Sequence, residues 1–317
     1  MAIAIDGKKI AAEAKQHIKK WIERDLKRAP TLAIISIGND DASKVYMRNK
    51  IKAAEEVGIE AKQFHFNQEQ YYDTYEFNYL INQIVCNHDG IILQLPVPSW
   101  CNAHDIIDKI PFWKDVDGLT AENMGRLRET DRHIMDIIMP CTPQGIMEML
   151  GNIPIELKGK HAVVIGRSNL VGRPIAEMLL QSNMTVTICH SKTPKDELLR
   201  YFATADLVVS AAGQKDLIDE WDALQYSRDY RHDFYNNFTV KENRVIIDVS
   251  INRDEDGKLC GDFSEEFKQK YSEYYTPVPG GVGPMTVAML MFNTYLAAKD
   301  GWFWENKENK KRKELTE

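Results

Sequence analysis

Tyr46 and Lys50, in Ser43-Lys-Val-Tyr-Met-Arg-Asn-Lys50, are four residues apart. On a helix that spacing puts both side chains on one face. A lysine beside a tyrosine phenol can do proton work if it is withdrawn from water, because burial lowers its pKa towards neutrality. On spacing alone a solvated surface lysine is the commoner reading. Gln94 is a second candidate, in Asp89-Gly-Ile-Ile-Leu-Gln-Leu-Pro-Val-Pro98. The apolar run reads as a strand that Pro96 and Pro98 end. An amide at the C-terminal end of a parallel strand lies where α/β sheets bind ligands, and it can both donate and accept. A glutamine that merely satisfies loop backbone is an equal reading. Asp115 and Asp117, before Gly118, suit ordinary turn chemistry. That is the commoner reading; the sharper one is a carboxylate, shielded from water, that accepts two N–H bonds from the edge of a heterocycle.

A third stretch, His161 to Leu180, organises the second half of the chain. His161-Ala-Val-Val-Ile165 is a short apolar run, then Gly166-Arg-Ser-Asn-Leu-Val-Gly172, then Arg173-Pro174 and a helical pattern. Strand, glycine-bounded turn and helix are the parts of a dinucleotide-binding unit, in which glycines admit the pyrophosphate and the helix N-terminus attracts its charge. The turn departs from G-x-G-x-x-G, since Ser168 stands at the second glycine and Gly172 falls late, so a plain strand–helix turn stays open. The next strand, Thr185 to Cys189, ends in His190-Ser-Lys-Thr193 without the acid that NAD enzymes use on the adenosine ribose. Ser191, Lys192 and Arg167 offer donors and positive charge instead, which favours the 2′-phosphate of NADP.

The elements that must position these groups alternate as in an α/β protein. Helices are expected over 6–28, 43–57 and 72–87, with strands at 31–38, 59–66 and 89–94. A helix over 144–150 follows a domain boundary near Met139. Further strands are expected at 205–213 and 244–250. Ala205-Asp-Leu-Val-Val-Ser-Ala-Ala-Gly213 ends in small residues, Ala212 among them, that let a ligand approach. Residues 215–243 read as a helix and an irregular surface excursion. Thr276-Pro-Val-Pro-Gly-Gly-Val-Gly-Pro284 is a stiff loop suited to a backbone held close to a ligand, and it opens a helix over 286–298.

Composition limits the partners. The chain has 317 residues, a net charge of −7 and 44% hydrophobic residues, so no broad basic surface advertises nucleic acid. The basic run Lys307 to Lys313 reads as a solvated tail. Five scattered cysteines form neither C-x-x-C nor a zinc spacing, so free thiols, a reducing compartment and no metal are expected. No apolar stretch approaches a membrane span, and the N-terminus lacks the apolar core of a leader, which points to the cytoplasm.

Taken together, these segments resemble the methylenetetrahydrofolate dehydrogenase/cyclohydrolase family over about residues 3–298. The matching pieces are Tyr46-Met-Arg-Asn-Lys50, Gly90 to Pro96, Lys114-Asp-Val-Asp-Gly118 and Pro140-Cys-Thr-Pro-Gln-Gly145. Gly166 to Pro174, Cys189-His-Ser-Lys-Thr193 and Thr276 to Thr286 complete the match. The resemblance implies an N-terminal α/β domain over 1–139 completed by 285–317, a Rossmann-like NADP-binding domain over 140–284, and an active site in the cleft between them. It implies Lys50 as the central catalytic group, Tyr46 against the substrate, and Gln94 tuning the lysine. Asp117, Pro279, Gly280 and Gly281 would meet the folate. Gly166, Arg167, Ser168, Val171, Gly172, Ser191, Ala212, Ser250, Ile251 and Thr286 would meet NADP.

The implied chemistry is oxidation of methylenetetrahydrofolate to the methenyl cation, then hydrolysis to formyltetrahydrofolate, in one-carbon metabolism that serves purine synthesis. A polyglutamylated folate substrate and a homodimer formed through the nucleotide domain are also implied. Three features depart from the family. Ser250 stands where it usually has Gly, and a side chain there would crowd the nicotinamide or alter cofactor affinity. The stretch between Gly213 and Val245 is longer than usual, and so is the tail after Ala298. Two other readings stay open: a shikimate-dehydrogenase-like NADP oxidoreductase, and a non-catalytic NADP or folate binder. The Tyr-x-x-x-Lys helix and the Pro/Gly loop argue against the first, and the intact Lys50, Gln94 and Asp117 against the second.

Overall fold

The computed structural model describes residues 2–39, 41–129, 137–220, 222 and 243–314, without the side chains of 41–45, 302 and 305–314. Most of the expected excursion over 215–243 lies outside the described residues. The chain forms two compact units, one of residues 12–141 and 287–317, the other of 1–11 and 142–286.

The first unit is built on three parallel strands, β2 (Thr31–Ile37), β3 (Glu60–Phe66) and β4 (Gly90–Gln94), in the order β3-β2-β4. Thr31-Leu-Ala-Ile-Ile-Ser-Ile37 takes the centre because its middle, Leu32 to Ile35, is wholly apolar and is fully buried. Burying one such isoleucine stabilises the fold by about 1.5–3 kcal/mol. β3 has exposed and half-buried residues and none buried, as an edge strand does. Register is fixed at the strand entrance by Asp89, whose carboxylate accepts two bonds from the Arg28 guanidinium and two from Thr31, through its N–H and its hydroxyl. Helices α1 (Gly7–Asp25), α2 (Asp41–Val57) and α3 (Tyr75–Asn87) accompany these strands. Asp6 caps α1 as its position before the apolar stripe predicts, accepting from the Lys9 N–H at 3.0 Å. Strand order reverses at β2, so the crevice beyond the carboxyl ends of β2 and β4 is where this topology places a ligand.

The short helices α4 (His104–Ile107) and α5 (Ala121–Arg126) follow, and α6 (Cys141–Gly151) leads into the second unit. There β5 (His161–Ile165), α7 (Gly172–Gln181), β6 (Thr185–Cys189), α8 (Lys195–Thr204), β7 (Leu207–Ser210) and β8 (Val245–Asp248) alternate as expected. A small antiparallel pair, β9 (Asn252–Arg253) with β10 (Leu259–Cys260), precedes α9 (Glu265–Tyr271) and β11 (Tyr274–Tyr275). With the two-residue strand β1 (Ile3–Ala4), they make a six-stranded parallel sheet, β1-β11-β8-β7-β5-β6. The order reverses between β5 and β7, beside the Gly166 turn. β1 pairs with β11, which is why residues 1–11 group with this unit, whereas the sequence boundary put them with the first. Two residues are too few to show a strand period.

The last helix, α10 (Val282–Glu314), is longer at both ends than its sequence expectation. It starts inside the Pro/Gly loop, because Pro284 fits a first helical turn. It continues along the backbone of the basic run read as a tail, whose Lys and Glu residues favour helix. Among the described residues no helix is long and apolar enough to cross a membrane.

Candidate active site

In the first unit the candidate groups converge at the ends of β2 and β4. The Lys50 ammonium donates to Gln94 Oε1 at 2.8 Å, and Gln94 Nε2 donates to the Leu95 carbonyl at 2.7 Å. The second bond fixes which way the amide points, so Gln94 presents an acceptor to the lysine. Burial pushes the Lys50 pKa down, opposed by the negative charge of Asp117 and by Cys141. A lysine so placed can give up its proton far more readily than a surface one. Tyr46, one helical turn earlier, is 42% exposed.

The turn Lys114-Asp-Val-Asp-Gly118 divides its two carboxylates between different tasks. Asp115 is buried, and its carboxylate accepts from the Thr120 N–H at 2.7 Å and from Asn123 Nδ2 at 2.9 Å. Those bonds hold the carboxylate while burial pushes its pKa up. Asp117 is half-buried, beside Lys50 and Cys141. Gly118 has φ of +69°, and a Cβ there would stand 2.6 Å from the Met139 and Pro140 backbone. A glycine therefore lets the Asp117 turn close on the segment that carries Cys141. Asn293 on α10 donates to the carbonyls of Val116 at 2.9 Å and Met139 at 2.8 Å, tying the two strands of that contact together.

Cys141 and Asn293 belong to this cluster and were missed as site residues. Cys141 sat inside the quoted Pro-Cys-Thr-Pro run, but a lone cysteine carries no spacing signal, and Asn293 reads as part of a buried helix. Burial and Asp117 push the Cys141 thiol well above its usual range, and it donates to the Val116 carbonyl at 3.2 Å. It is a neutral donor, not a nucleophile. On the other side of Gln94 lies a cavity of about 350 Å³ that the sequence did not foretell, lined by Ser36, Arg48, Gln63 and His65 among others.

In the second unit a cavity of about 400 Å³ lies outside the ends of β5 and β7. Of the expected cofactor residues, Gly166, Arg167, Ser168, Ser191 and Ala212 line it. His190, Thr193, Lys195 and Gln214 do so as well and were not singled out for this role. The turn is built by close approach. A Cβ on Gly166, at φ +134°, would meet the Ala211 carbonyl oxygen at 2.6 Å, and one on Gly172 would meet the Gly166 carbonyl oxygen at 2.3 Å. Ser168 stands at the pattern's second glycine, and its hydroxyl accepts from the Val171 N–H at 3.2 Å and the Gly172 N–H at 3.4 Å, where the turn enters α7. The remaining α7 N–H groups and the exposed Arg167 suit a phosphorylated nucleotide. Lys195 is held by the Leu217 carbonyl and Asp222, both at 2.7 Å.

Val171 and Gly172 supply backbone to the turn but do not line this cavity. Ser250 is 9% exposed and points into the protein, so the expected crowding gives way to an internal bond described below. Ile251 is 46% exposed. The Thr286 hydroxyl pairs with that of Thr142 at 2.9 Å. Neither lines the nucleotide cavity. Pro279, Gly280 and Gly281 form the loop before α10, and Gly281 is backed by Gly7, where a Cβ would stand 1.9 Å from its carbonyl oxygen. Among the described residues no cluster of His, Cys, Asp and Glu has the makings of a metal site.

Comparison with known proteins adds independent findings. Residues 5–117 match the model of the tetrahydrofolate dehydrogenase/cyclohydrolase catalytic domain, and 140–225 with 231–301 match that family's NAD(P)-binding domain. The Bifunctional protein FolD of Magnetococcus marinus is 42% identical, covering 94% of this chain and 98% of its own. That of Bacillus subtilis is 40% identical with the same coverage, 94% and 98%. Among solved structures, the FolD enzyme of Campylobacter jejuni aligns with a TM-score of 0.82 at 38% identity, over 95% of this chain and 99% of that one. A methylenetetrahydrofolate dehydrogenase-cyclohydrolase of Trypanosoma brucei, solved with NADP and an inhibitor, aligns at 0.80 and 31% identity, over 95% and 98%.

Proposed function

The chain belongs to the tetrahydrofolate dehydrogenase/cyclohydrolase family, and we propose that Lys50, held by Gln94, is the proton-transfer group of its hydrolase step. The protein is an NADP-dependent methylenetetrahydrofolate dehydrogenase and methenyltetrahydrofolate cyclohydrolase of folate one-carbon metabolism. The observation that carries the proposed role is the 2.8 Å bond between Lys50 and Gln94 in a desolvated setting.

Folate would lie against Tyr46, with Asp117 accepting from the N–H edge of its pterin ring. The loop at Pro279, Gly280 and Gly281 is proposed to bear on the substrate through its backbone. NADP supplies the hydride acceptor when bound. The protein's part in that step is alignment and the exclusion of water. Hydrolysis needs more. Water adds to the methenyl carbon, its proton must be removed, and a ring nitrogen must then be protonated for the C–N bond to break. A lysine whose pKa is lowered can take the first proton and return it to the leaving nitrogen, and the remaining hydroxyl proton leaves to solvent as the C–N bond breaks and the formyl carbonyl forms. Gln94 keeps the amine aimed through both transfers, as an acceptor for the N–H bond not in use.

For the cofactor, Gly166, Ser168 and the start of α7 are proposed to hold the pyrophosphate, and Arg167 with Ser191 the 2′-phosphate. Lys195 is already engaged, whereas Arg167 is exposed in the turn itself. Arg167→Ala is expected to raise the KM for NADP by roughly 10–100-fold, the worth of a charge-assisted bond, and to leave the KM for NAD nearly unchanged. Initial rates with both cofactors check it, and an equal loss with NAD and NADP would place the guanidinium elsewhere.

A polyglutamylated substrate, a homodimer formed through the nucleotide unit and a cytoplasmic setting are part of the same proposal. Their support is the family resemblance. Light scattering of the purified chain and KM values for a series of glutamyl lengths test the first two.

A further inference from the structure

We propose that Ser250 is a positioning residue for NADP, which it serves by latching the wall of the nucleotide cavity to the buried carboxylate of Asp262. This rests on the reading of that cavity as the NADP site. Ser250 stands just after β8, at the position noted above for departing from the family's usual glycine. Its hydroxyl donates to Asp262 Oδ2 at 2.7 Å and accepts from the Gly213 N–H at 2.9 Å.

Asp262 is fully buried and gathers the surrounding loops. Oδ2 also accepts from the Ser210 hydroxyl at 2.7 Å and the Ala212 N–H at 3.0 Å. Oδ1 accepts from the Gln214 N–H at 2.8 Å and Asn252 Nδ2 at 3.1 Å. These donors fill the lone-pair directions of a carboxylate. Ala212 and Gln214 both line the nucleotide cavity, and Gly213 lies between them with φ of +65°. Asp262 therefore grips the wall on either side of Gly213. The acceptor of the middle N–H is not Asp262 but the serine hydroxyl. Ser250 thereby joins the end of β7 to the end of β8 through one oxygen.

Removing the hydroxyl has a consequence that depends on what replaces it. With alanine, the methyl carbon stays where the serine Cβ stood and only the hydroxyl's volume is vacated, too little to seat a water, so the part-buried Gly213 N–H loses its acceptor. With glycine, the vacated volume admits a water that can make both bonds. The expected order is therefore Ser250, then Ser250→Gly, then Ser250→Ala. That ranking is the reverse of what side-chain crowding of the nicotinamide predicts, where each loss of bulk should help.

The test is steady-state kinetics of both variants with NADP and methylenetetrahydrofolate, with cyclohydrolase turnover measured in parallel. Ser250→Ala should raise the KM for NADP about tenfold, Ser250→Gly less than threefold, and both should keep the folate KM and the cyclohydrolase rate. Retained cyclohydrolase turnover also shows that the variants are folded. Unchanged NADP KM in Ser250→Ala would overturn the latch, as would equal losses in both variants or a gain in Ser250→Gly. Lack of NADP turnover by the unaltered chain would be a failure of the underlying reading, and it would remove the proposal with it.

Discussion

Lys50→Met is expected to lower methenyltetrahydrofolate hydrolysis by about 100-fold or more, the usual worth of a positioned acid–base group. Dehydrogenase turnover should fall much less, because hydride transfer asks the chain for alignment and not for a proton. The substitution keeps most of the side chain's length and apolar character while removing the amine. It also removes a half-buried cation, whose pKa is lowered by desolvation. The sign for stability follows. An unfolded lysine titrates near 10.5, and a lysine with a lower folded pKa destabilises the native state wherever it must be protonated there. That cost is present below the folded pKa and disappears as pH rises towards 10.5. Lys50→Met should therefore melt at the same temperature as the unaltered chain or higher at neutral pH. An enzyme that is as stable or more so, yet hydrolytically poor, marks the lysine as kept for chemistry. The unaltered enzyme's hydrolysis, corrected for the buffer reaction, should rise with pH through an inflection below 10.5, and the variant should lack it. Equal hydrolysis rates in the two proteins would remove Lys50 from the mechanism.

Gly166→Ala carries the second large effect. At φ +134° the backbone is unfavourable for any side chain, and the added methyl would stand 2.6 Å from the Ala211 carbonyl oxygen and 3.1 Å from its carbon. Both neighbours are backbone, so relief requires the turn or the β7 loop to move, and both line the nucleotide cavity. The KM for NADP should rise at least about 100-fold, in line with a displacement of roughly an ångström at a positioned site. Hydrolysis of added methenyltetrahydrofolate should persist, since Lys50, Gln94 and Asp117 belong to the other unit. Loss of both activities in a folded protein would mean that the two units are coupled through this turn.

How much of this was legible depended on the kind of signal. The pair Tyr46 and Lys50, and the strand end at Gln94, were legible because periodicity and a proline stop place them without any tertiary knowledge. The direct bond between Lys50 and Gln94 was not, because it joins residues 44 apart in the chain. The division of labour in Asp115-Val-Asp117 was equally hidden. Two carboxylates in one turn look alike until Thr120 and Asn123 claim one of them. Ser250 was visible only as an oddity. Its meaning lies in Asp262, a single acidic residue after Gly261 with no motif around it, which matters through the loops it collects. β1 escaped because a strand of two residues has no period, and α10 outran its expected bounds because proline and glycine were read as loop where they begin a helix.

The most direct test of the central claim, one chain performing both reactions with NADP, is absorbance-followed turnover of methylenetetrahydrofolate with NADP and NAD in parallel. The account predicts reduction of NADP in preference to NAD, with the methenyl product decaying faster than in buffer alone. Reduction of neither cofactor by a folded protein, or methenyl product that decays only at the buffer rate, would contradict it.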